Sequence, residues 1–275
     1  MFRAGTAFTA WTIFSFLCHY AAKQFLSEGE GNRLVLAALL TSAQLTCCYI
    51  LLTHSTRSST ETGIVPGEKD TSSATKRWAY VMAALTHVGA TFSTNYSLAV
   101  LYAPSTLTIK LMEPLMSAFV VWLVLGRPIK PVTFLALCVL IAGSLGFVGN
   151  PLASMSLGGG TALALISNVL YGLRNVLIKH FLHTNMSLCE GYEYIVYAAV
   201  TAASLYVCGN GNIQEMLLVM LMLSAVCHVI YSYISTNVIL HELSVVGHAV
   251  ANISKRLLVV LLMVAAGQKQ LESAK

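Results

Sequence analysis

Long uncharged stretches recur along the chain and predict helices that cross a membrane. Three apolar stretches contain charged residues and cover 104–126, 158–180 and 243–267. Six others lack any charged residue: 4–22, 34–53, 78–101, 131–149, 194–213 and 216–240. Because a span needs roughly 20 apolar residues, the pattern predicts nine transmembrane helices. Most connections between them are short, but residues 54–77 are rich in Ser, Thr, Gly and charge and are expected to form a solvated loop.

The basic residues between the stretches predict the orientation of the chain. With the N-terminus in the cytosol, the opposite side carries only Lys23, Arg33, Lys269 and Lys275. The cytosolic side then carries twice as many: Arg3, Arg57, Lys69, Lys76, Arg77, Arg127, Lys130 and Lys179. Because cytosolic loops are enriched in Lys and Arg, a cytosolic N-terminus is favoured. Lys23, at the end of the first stretch, is expected to be exposed at a loop edge.

Short sequence matches recur in the same order in the two halves of the chain. Ser-Thr-Asn at 93–95 returns at 235–237, and Lys-x-Phe-Leu at 23–26 returns at 179–182. An odd number of helices per half inverts the second half, which is a transporter architecture. The sequence thus predicts an all-α polytopic bundle of two inverted five-helix repeats, 1–150 and 158–275. Nine helices are present and the tenth is missing, so we expect a C-terminally truncated or alternatively spliced form.

Composition narrows the class of protein further. Hydrophobic residues make up 56% of the chain and charged residues only 10%, with a mean hydropathy of +0.73. A soluble domain carries roughly a quarter charged residues, so the soluble classes are excluded. The seven cysteines show no metal-ligand spacing, and the single aspartate, Asp70, lies in the 54–77 loop, which leaves no catalytic triad. We therefore expect no enzyme activity, no metal and no cofactor.

Charged residues inside the apolar stretches mark the candidate site. Each costs roughly 2.5–3.5 kcal/mol at mid-bilayer, so such residues usually face a cavity or a partner. The one acidic residue is Glu113, against five basic residues: Lys110, Arg174, Lys179, Lys255 and Arg256. Pairing cannot neutralise this surplus, whereas an anionic ligand can.

Structural roles compete with ligand binding at several of these positions. Lys110 and Glu113 are spaced for an ion pair on one helix face, and Lys179 can extend its side chain to the membrane interface. Lys255 and Arg256 sit at the centre of their span with no acidic residue within ten positions upstream. We interpret this pair as functional, because Arg offers a planar fork and Lys a point charge to phosphate oxygens.

Several motifs together resemble one transporter family. The residues at 248–256, His-Ala-Val-Ala-Asn-Ile-Ser-Lys-Arg, resemble the ninth-helix signature of the triose-phosphate/sugar-phosphate translocators, in the drug/metabolite transporter superfamily. Ser-Thr-Asn at 93–95, Lys110 and Glu113-Pro114 are similar to the third and fourth helices of that family. Ser167-Asn168 with Arg174 and Lys179 resembles the sixth helix, and Tyr231 with Thr236-Asn237 the eighth.

The resemblance implies an antiporter of phosphorylated organic anions that works by alternating access. It implies that Lys110, Lys255 and Arg256 hold the phosphate and that the Tyr231 hydroxyl contacts it. Arg174 and Lys179 match basic positions of the sixth helix of the family. Plastid members carry a histidine three residues before the fourth-helix lysine, where this chain has Leu107. This departure favours an endomembrane member, in the Golgi or the endoplasmic reticulum.

Two alternatives to sugar-phosphate exchange remain at this point. One is a nucleotide-sugar transporter, whose diphosphate would use the same basic residues. The other is a truncated membrane isoform that does not transport. The expected partners are a small anionic substrate and the lipid bilayer, with a homodimer left open and no nucleic acid.

Overall fold

The computed structural model of the protein describes residues 2–29, 32–60, 73–148, 158–182 and 215–266. Within these ranges the chain forms eight helices and no strand. The first five are α1 (Phe2–Glu28), α2 (Arg33–Thr60), α3 (Ser73–Val100), α4 (Ala103–Leu125) and α5 (Pro131–Val148). Helix α6 (Gly159–Val176) continues into a π-helical turn, Leu177–Leu182. Helix α7 (Glu215–Tyr233) continues through a π-helical turn, Ile234–Ile239, to Leu240–Glu242, and α8 covers Val245–Ala265.

The predicted all-α membrane class is confirmed. Eight of the nine predicted helices have a counterpart, and the predicted helix at 194–213 lies outside the described residues. Four helices in the described ranges are long and apolar enough to cross a bilayer: Ala103–Leu125, Gly159–Lys179, Met216–Glu242 and Val245–Ala265. Helices α2 and α3 extend into the predicted 54–77 loop, because adding a residue to a formed helix is far easier than nucleating a new one.

Helix α4 is interrupted near its middle by a proline. Residues Ala103–Ile109 are α-helical, Lys110–Met112 form a 3-10 turn, and the α-helix resumes at Glu113–Leu125. Pro114 has no backbone N–H, so it cannot donate to the carbonyl of Lys110 one turn earlier. The Lys110 carbonyl accepts from the Glu113 N–H in the 3-10 turn and from the guanidinium of Arg256 on α8. A local defect in α4 thereby creates a contact between two helices.

Lys23 closes one end of the helix bundle. Its side chain is only 6% exposed, so the prediction of an exposed loop-edge residue is wrong. Its Nζ donates to the carbonyls of Leu98 and Leu101, both at 2.9 Å. The guanidinium of Arg33 donates to the neighbouring Ala99 carbonyl. Since the last carbonyls of a helix lack partners within the helix, these two cations satisfy the end of α3 where it turns into α4.

Lys179 makes the corresponding contact at the opposite end of the bundle. Its Nζ donates to the carbonyls of Leu240 at 3.0 Å and His241 at 2.8 Å, at the end of α7. A methyl group on Gly160, near the start of α6, would lie 2.6 Å from Val100, so α6 begins beside the end of α3. Lys179 is 19 residues further along α6, which at 1.5 Å per residue is roughly 28 Å away.

The two most extensive helix contacts join corresponding helices of the two predicted repeats. Among the described helices, α3 packs most extensively against α6, and α1 against α7. Each pair joins the first helix of one predicted repeat to the third helix of the other. The sequence repeat also aligns Lys23 with Lys179. It aligns their carbonyl acceptors too, Leu98 with Leu240. The division into repeats at 1–150 and 158–275 stays a prediction.

We expect Lys23→Ala to lower the thermal stability of the protein, because two buried carbonyls lose their donor. An unsatisfied buried polar group costs about 1–3 kcal/mol. The matched control is Lys130→Ala, since the Lys130 side chain is exposed between α4 and α5. Thermal unfolding of the detergent-solubilised variants measures the difference, and equal melting temperatures for Lys23→Ala and Lys130→Ala would contradict the contact.

Candidate functional site

A polar cavity lies between six of the described helices. Its walls come from α1, α3, α4, α6, α7 and α8, and the centres of water molecules can occupy about 50 Å³ of it. At roughly 10–15 Å³ per water, this is space for a few waters. The lining includes four cationic side chains and one carboxylate: Lys110, Arg174, Lys255, Arg256 and Glu113.

Glu113 and Arg256 form a buried ion pair across the cavity. The guanidinium of Arg256 contacts the Glu113 carboxylate, and both side chains are almost fully buried. Asn252, one turn before Arg256, donates to the same carboxylate oxygen at 2.8 Å. The acidic partner of Arg256 is not a neighbour in the sequence, because it comes from another helix. The pair joins α4 to α8 at the break in α4.

Lys110 is bound by hydroxyl groups. Its Nζ donates to Thr94 Oγ1 at 2.8 Å and to Ser167 Oγ at 2.7 Å. It also lies 4.9 Å from the ring centroid of Tyr171. The ion pair found for Glu113 among the described residues is the one with Arg256, so the alternative Lys110–Glu113 pair does not form here. Neutral hydroxyls leave the positive charge of Lys110 uncompensated.

Lys255 lies against aromatic rings. Its Nζ is 4.3 Å from the ring centroid of Trp11 and 5.3 Å from that of Tyr231. Only 4% of the residue is exposed, and in the part of the chain that the structure describes no carboxylate pairs with it. Cation–π contacts contribute about 0.5–2 kcal/mol, but they carry no opposite charge. Lys255 is thus a buried cation held in place without being neutralised.

The remaining predicted site residues divide into two groups. Arg174 and Tyr231 line the cavity, and Arg174 Nη2 donates to Thr236 Oγ1 at 3.4 Å. The structure therefore brings together five of the six predicted residues. Lys179 is not part of the lining, because it binds the carbonyls at the end of α7.

The cavity also contains four histidines that are not among the predicted site residues, because only charged residues inside the apolar stretches were considered as candidates there. They are His19 on α1, His87 on α3, His228 on α7 and His248 on α8. The signal was available, since a polar side chain inside an apolar stretch is itself a candidate for function. In the described ranges, no group of three His, Cys, Asp or Glu residues could hold a metal ion.

The composition of this cavity suits an anion. Counted by residue type, four basic side chains and one carboxylate give a formal charge of +3, from four positive minus one negative. Buried charges are costly unless paired, so the cavity favours an anionic occupant that replaces the missing carboxylates. Hydroxyls, imidazoles and an asparagine amide surround the cations and add uncharged donors and acceptors.

The fold defines a polytopic membrane protein whose described helices enclose a buried cavity rich in basic side chains. Comparison with protein families agrees: the model described as the Triose-phosphate Transporter family matches residues 2–274. The chain therefore belongs to that family, and it is a multi-pass membrane transporter of small solutes. No curated protein matches the sequence significantly.

Adjacent residues Arg256 and Lys255 should respond differently to truncation. Arg256→Ala leaves Glu113 buried and unpaired, which costs about 3–5 kcal/mol. Lys255→Ala does not have this effect, because no carboxylate among the described residues pairs with Lys255. We expect a clearly lower melting temperature for Arg256→Ala, and partial recovery in the double variant Glu113→Gln/Arg256→Gln. Thermal unfolding in detergent tests this. If Arg256→Ala is as stable as Lys255→Ala, the ion pair does not support the fold.

Proposed function

We propose that this chain is an antiporter of phosphorylated organic anions, such as sugar phosphates, across an endomembrane. The observation that carries the proposal is that two buried lysines, Lys110 and Lys255, line one cavity from α4 and α8 and pair with no carboxylate in the described segments. A phosphate group carries up to two negative charges and several acceptor oxygens, so one phosphate can bind both ammonium groups. Arg174 and the Tyr231 hydroxyl are further donors for the same ligand.

Exchange, rather than one-way transport, follows from the charge of the empty cavity. A carrier that reorients must enclose its site, and enclosing unneutralised cations in a low-dielectric interior is costly. A bound phosphate offsets that charge. The loaded carrier thus crosses more easily than the empty one, which couples outward movement of one anion to inward movement of another.

The contacts at the two ends of the bundle support alternating access. Lys23 binds the end of α3 and Lys179 the end of α7, roughly 28 Å apart along α6. Residues Ser167 and Asn168 of the cavity region lie between them on α6, where Ser167 binds Lys110. We propose that each lysine closes one entrance, and that transport opens the two entrances in turn.

The compact cavity supports a small phosphate over a nucleotide sugar. A phosphate with a short organic body needs less room between these helices than a nucleotide, a diphosphate and a sugar do. The proposed membrane is that of the Golgi or the endoplasmic reticulum, with the N-terminus in the cytosol. Immunolocalisation of the tagged chain tests this compartment.

Removing either uncompensated lysine should weaken phosphate binding. Charge-assisted hydrogen bonds contribute about 1.5–3 kcal/mol, so Lys110→Met and Lys255→Met should each raise the KM for phosphate about ten-fold or more. Lys255→Arg should be only partly active, because a planar fork replaces a point charge. Exchange of radiolabelled phosphate in proteoliposomes measures this.

The control for these lysine variants is Lys130→Met, which changes an exposed lysine outside the cavity. Lys110→Met and Lys255→Met proteins that insert normally and exchange at the wild-type rate would refute the phosphate site. A wild-type protein that exchanges nucleotide sugars but no sugar phosphate would establish the alternative substrate. A wild-type protein without any exchange would indicate a form that does not transport.

A further inference from the structure

We propose that a group of hydrogen-bonded side chains outside the cavity positions Thr94, the residue that accepts a hydrogen bond from Lys110. This group, the polar joint, consists of five buried residues of α1, α2, α3 and α7: Cys18, Thr41, Gln44, Asn95 and Ser224. The inference rests on the proposed function, because it assigns residues that prepare the phosphate site without contacting the phosphate.

Gln44 on α2 is the centre of the polar joint. Its Nε2 donates to Ser224 Oγ on α7 at 3.0 Å, and its Oε1 accepts from Asn95 Nδ2 on α3 at 2.8 Å. Asn95 Nδ2 also donates to Thr41 Oγ1 on α2 at 2.9 Å. Ser224 Oγ donates in turn to the backbone carbonyl of Cys18 on α1 at 3.1 Å. One set of hydrogen bonds therefore joins four helices.

The polar joint lies in the interior of the protein but apart from the cavity. Each of its members is at most 3% exposed, and none of these five described residues is in the cavity lining. A ligand in the cavity therefore does not replace these hydrogen bonds. Since a buried polar group without a partner costs about 1–3 kcal/mol, the joint holds α2 and α3 in one relative position.

The rotation of α3 links the polar joint to the cavity. Adjacent residues of an α-helix point about 100° apart, and Thr94 directly precedes Asn95. Asn95 is held by two acceptors on α2, so the rotation of α3 about its own axis is fixed as well. That rotation places Thr94 in the cavity lining, where its hydroxyl meets Lys110.

Thr94 is oriented as an acceptor for Lys110. Its Oγ1 donates its one hydrogen to the Ala90 carbonyl at 2.8 Å, which leaves lone pairs for the ammonium group. Thr94 and Ser167 together accept from Lys110 Nζ, so of its three N–H donors one remains for the phosphate. An ammonium group that is already oriented loses less conformational entropy when the ligand binds.

The second half of the chain supports this role of the threonine. Ser-Thr-Asn at 93–95 recurs at 235–237, and Thr236 Oγ1 accepts from the Arg174 guanidinium at 3.4 Å. Arg174, like Lys110, lines the cavity. The threonine of each copy of the motif therefore contacts a basic side chain of the cavity, and the asparagine of the first copy anchors its helix from outside.

A double-mutant cycle in phosphate exchange tests whether the polar joint acts through Thr94. Gln44→Met removes the centre of the joint with a side chain of similar shape, and Thr94→Val removes the acceptor of Lys110. In proteoliposomes we expect Gln44→Met to raise the KM for phosphate about five-fold, with the maximal rate per inserted protein within about two-fold. We expect Gln44→Met/Thr94→Val to have the KM of Thr94→Val within about two-fold, because the joint has no effect once its target is gone.

Two further variants complete the design. Thr41→Val keeps the shape of the side chain and removes one acceptor of Asn95, so it should raise the KM less, about two- to three-fold, and not in the Thr94→Val background. This milder variant decides the question if Gln44→Met inserts poorly. Gln24→Met is the matched control, because Gln24 is a half-buried residue of α1 outside both the joint and the cavity lining. It should leave the KM unchanged.

The possible failures are distinguishable. A wild-type protein that exchanges no phosphate overturns the proposed function itself. If the wild-type protein exchanges phosphate but the Gln44 and Thr41 variants keep the KM of the control, the joint does not position the site. An equal rise in the KM with and without the Thr94 hydroxyl also overturns the inference, because the joint would then act by another route. A lower maximal rate with an unchanged KM overturns it too, since the joint would then only support the amount of folded protein.

Discussion

The ion pair between Glu113 and Arg256 is the interaction on which the cavity depends. Pro114 removes one hydrogen bond from α4, and the guanidinium of Arg256 contacts both the Lys110 carbonyl and the Glu113 carboxylate. Asn252 adds a second contact from α8. Because α4 and α8 are joined at this point, Lys110 and Lys255 line the same space. The pair also occupies the carboxylate of the cavity, so neither lysine pairs with a carboxylate among the described residues.

In the proposed function, transport depends on a balance of charge. The pair leaves an excess of buried basic side chains that a bound anion would offset, which would favour a loaded carrier over an empty one. At the two ends of the bundle, Lys23 and Lys179 bind helix carbonyls instead of ligand. Four described lysines therefore divide between two roles. Lys23 and Lys179 contact helix ends and close the bundle, and in the proposed function Lys110 and Lys255 bind the substrate.

The sequence predicted the described helices and named five residues that line the cavity, but it did not predict the Glu113–Arg256 pairing. A helix that crosses the apolar interior of a bilayer must itself be apolar along its length. Eight of the described helices could therefore be located from the sequence. Buried charge likewise identified Lys110, Arg174, Lys255 and Arg256. Sequence distance could not show that Glu113 meets Arg256, 143 positions later, because only packing brings α4 to α8. Nor could the sequence show that Lys23 is buried. Its acceptors are backbone carbonyls, which every residue has, so the residue types around it give no signal.

The central claim is that one phosphate binds between Lys110 and Lys255. Arsenate is a phosphate analogue with a strong anomalous X-ray signal, so crystals of the protein soaked in arsenate locate the anion directly. We predict an anomalous peak inside the cavity, within hydrogen-bond distance of the Nζ atoms of both lysines, that disappears in Lys255→Met crystals. Peaks confined to exposed basic residues such as Arg127 and Lys130, with none in the cavity, would contradict the account.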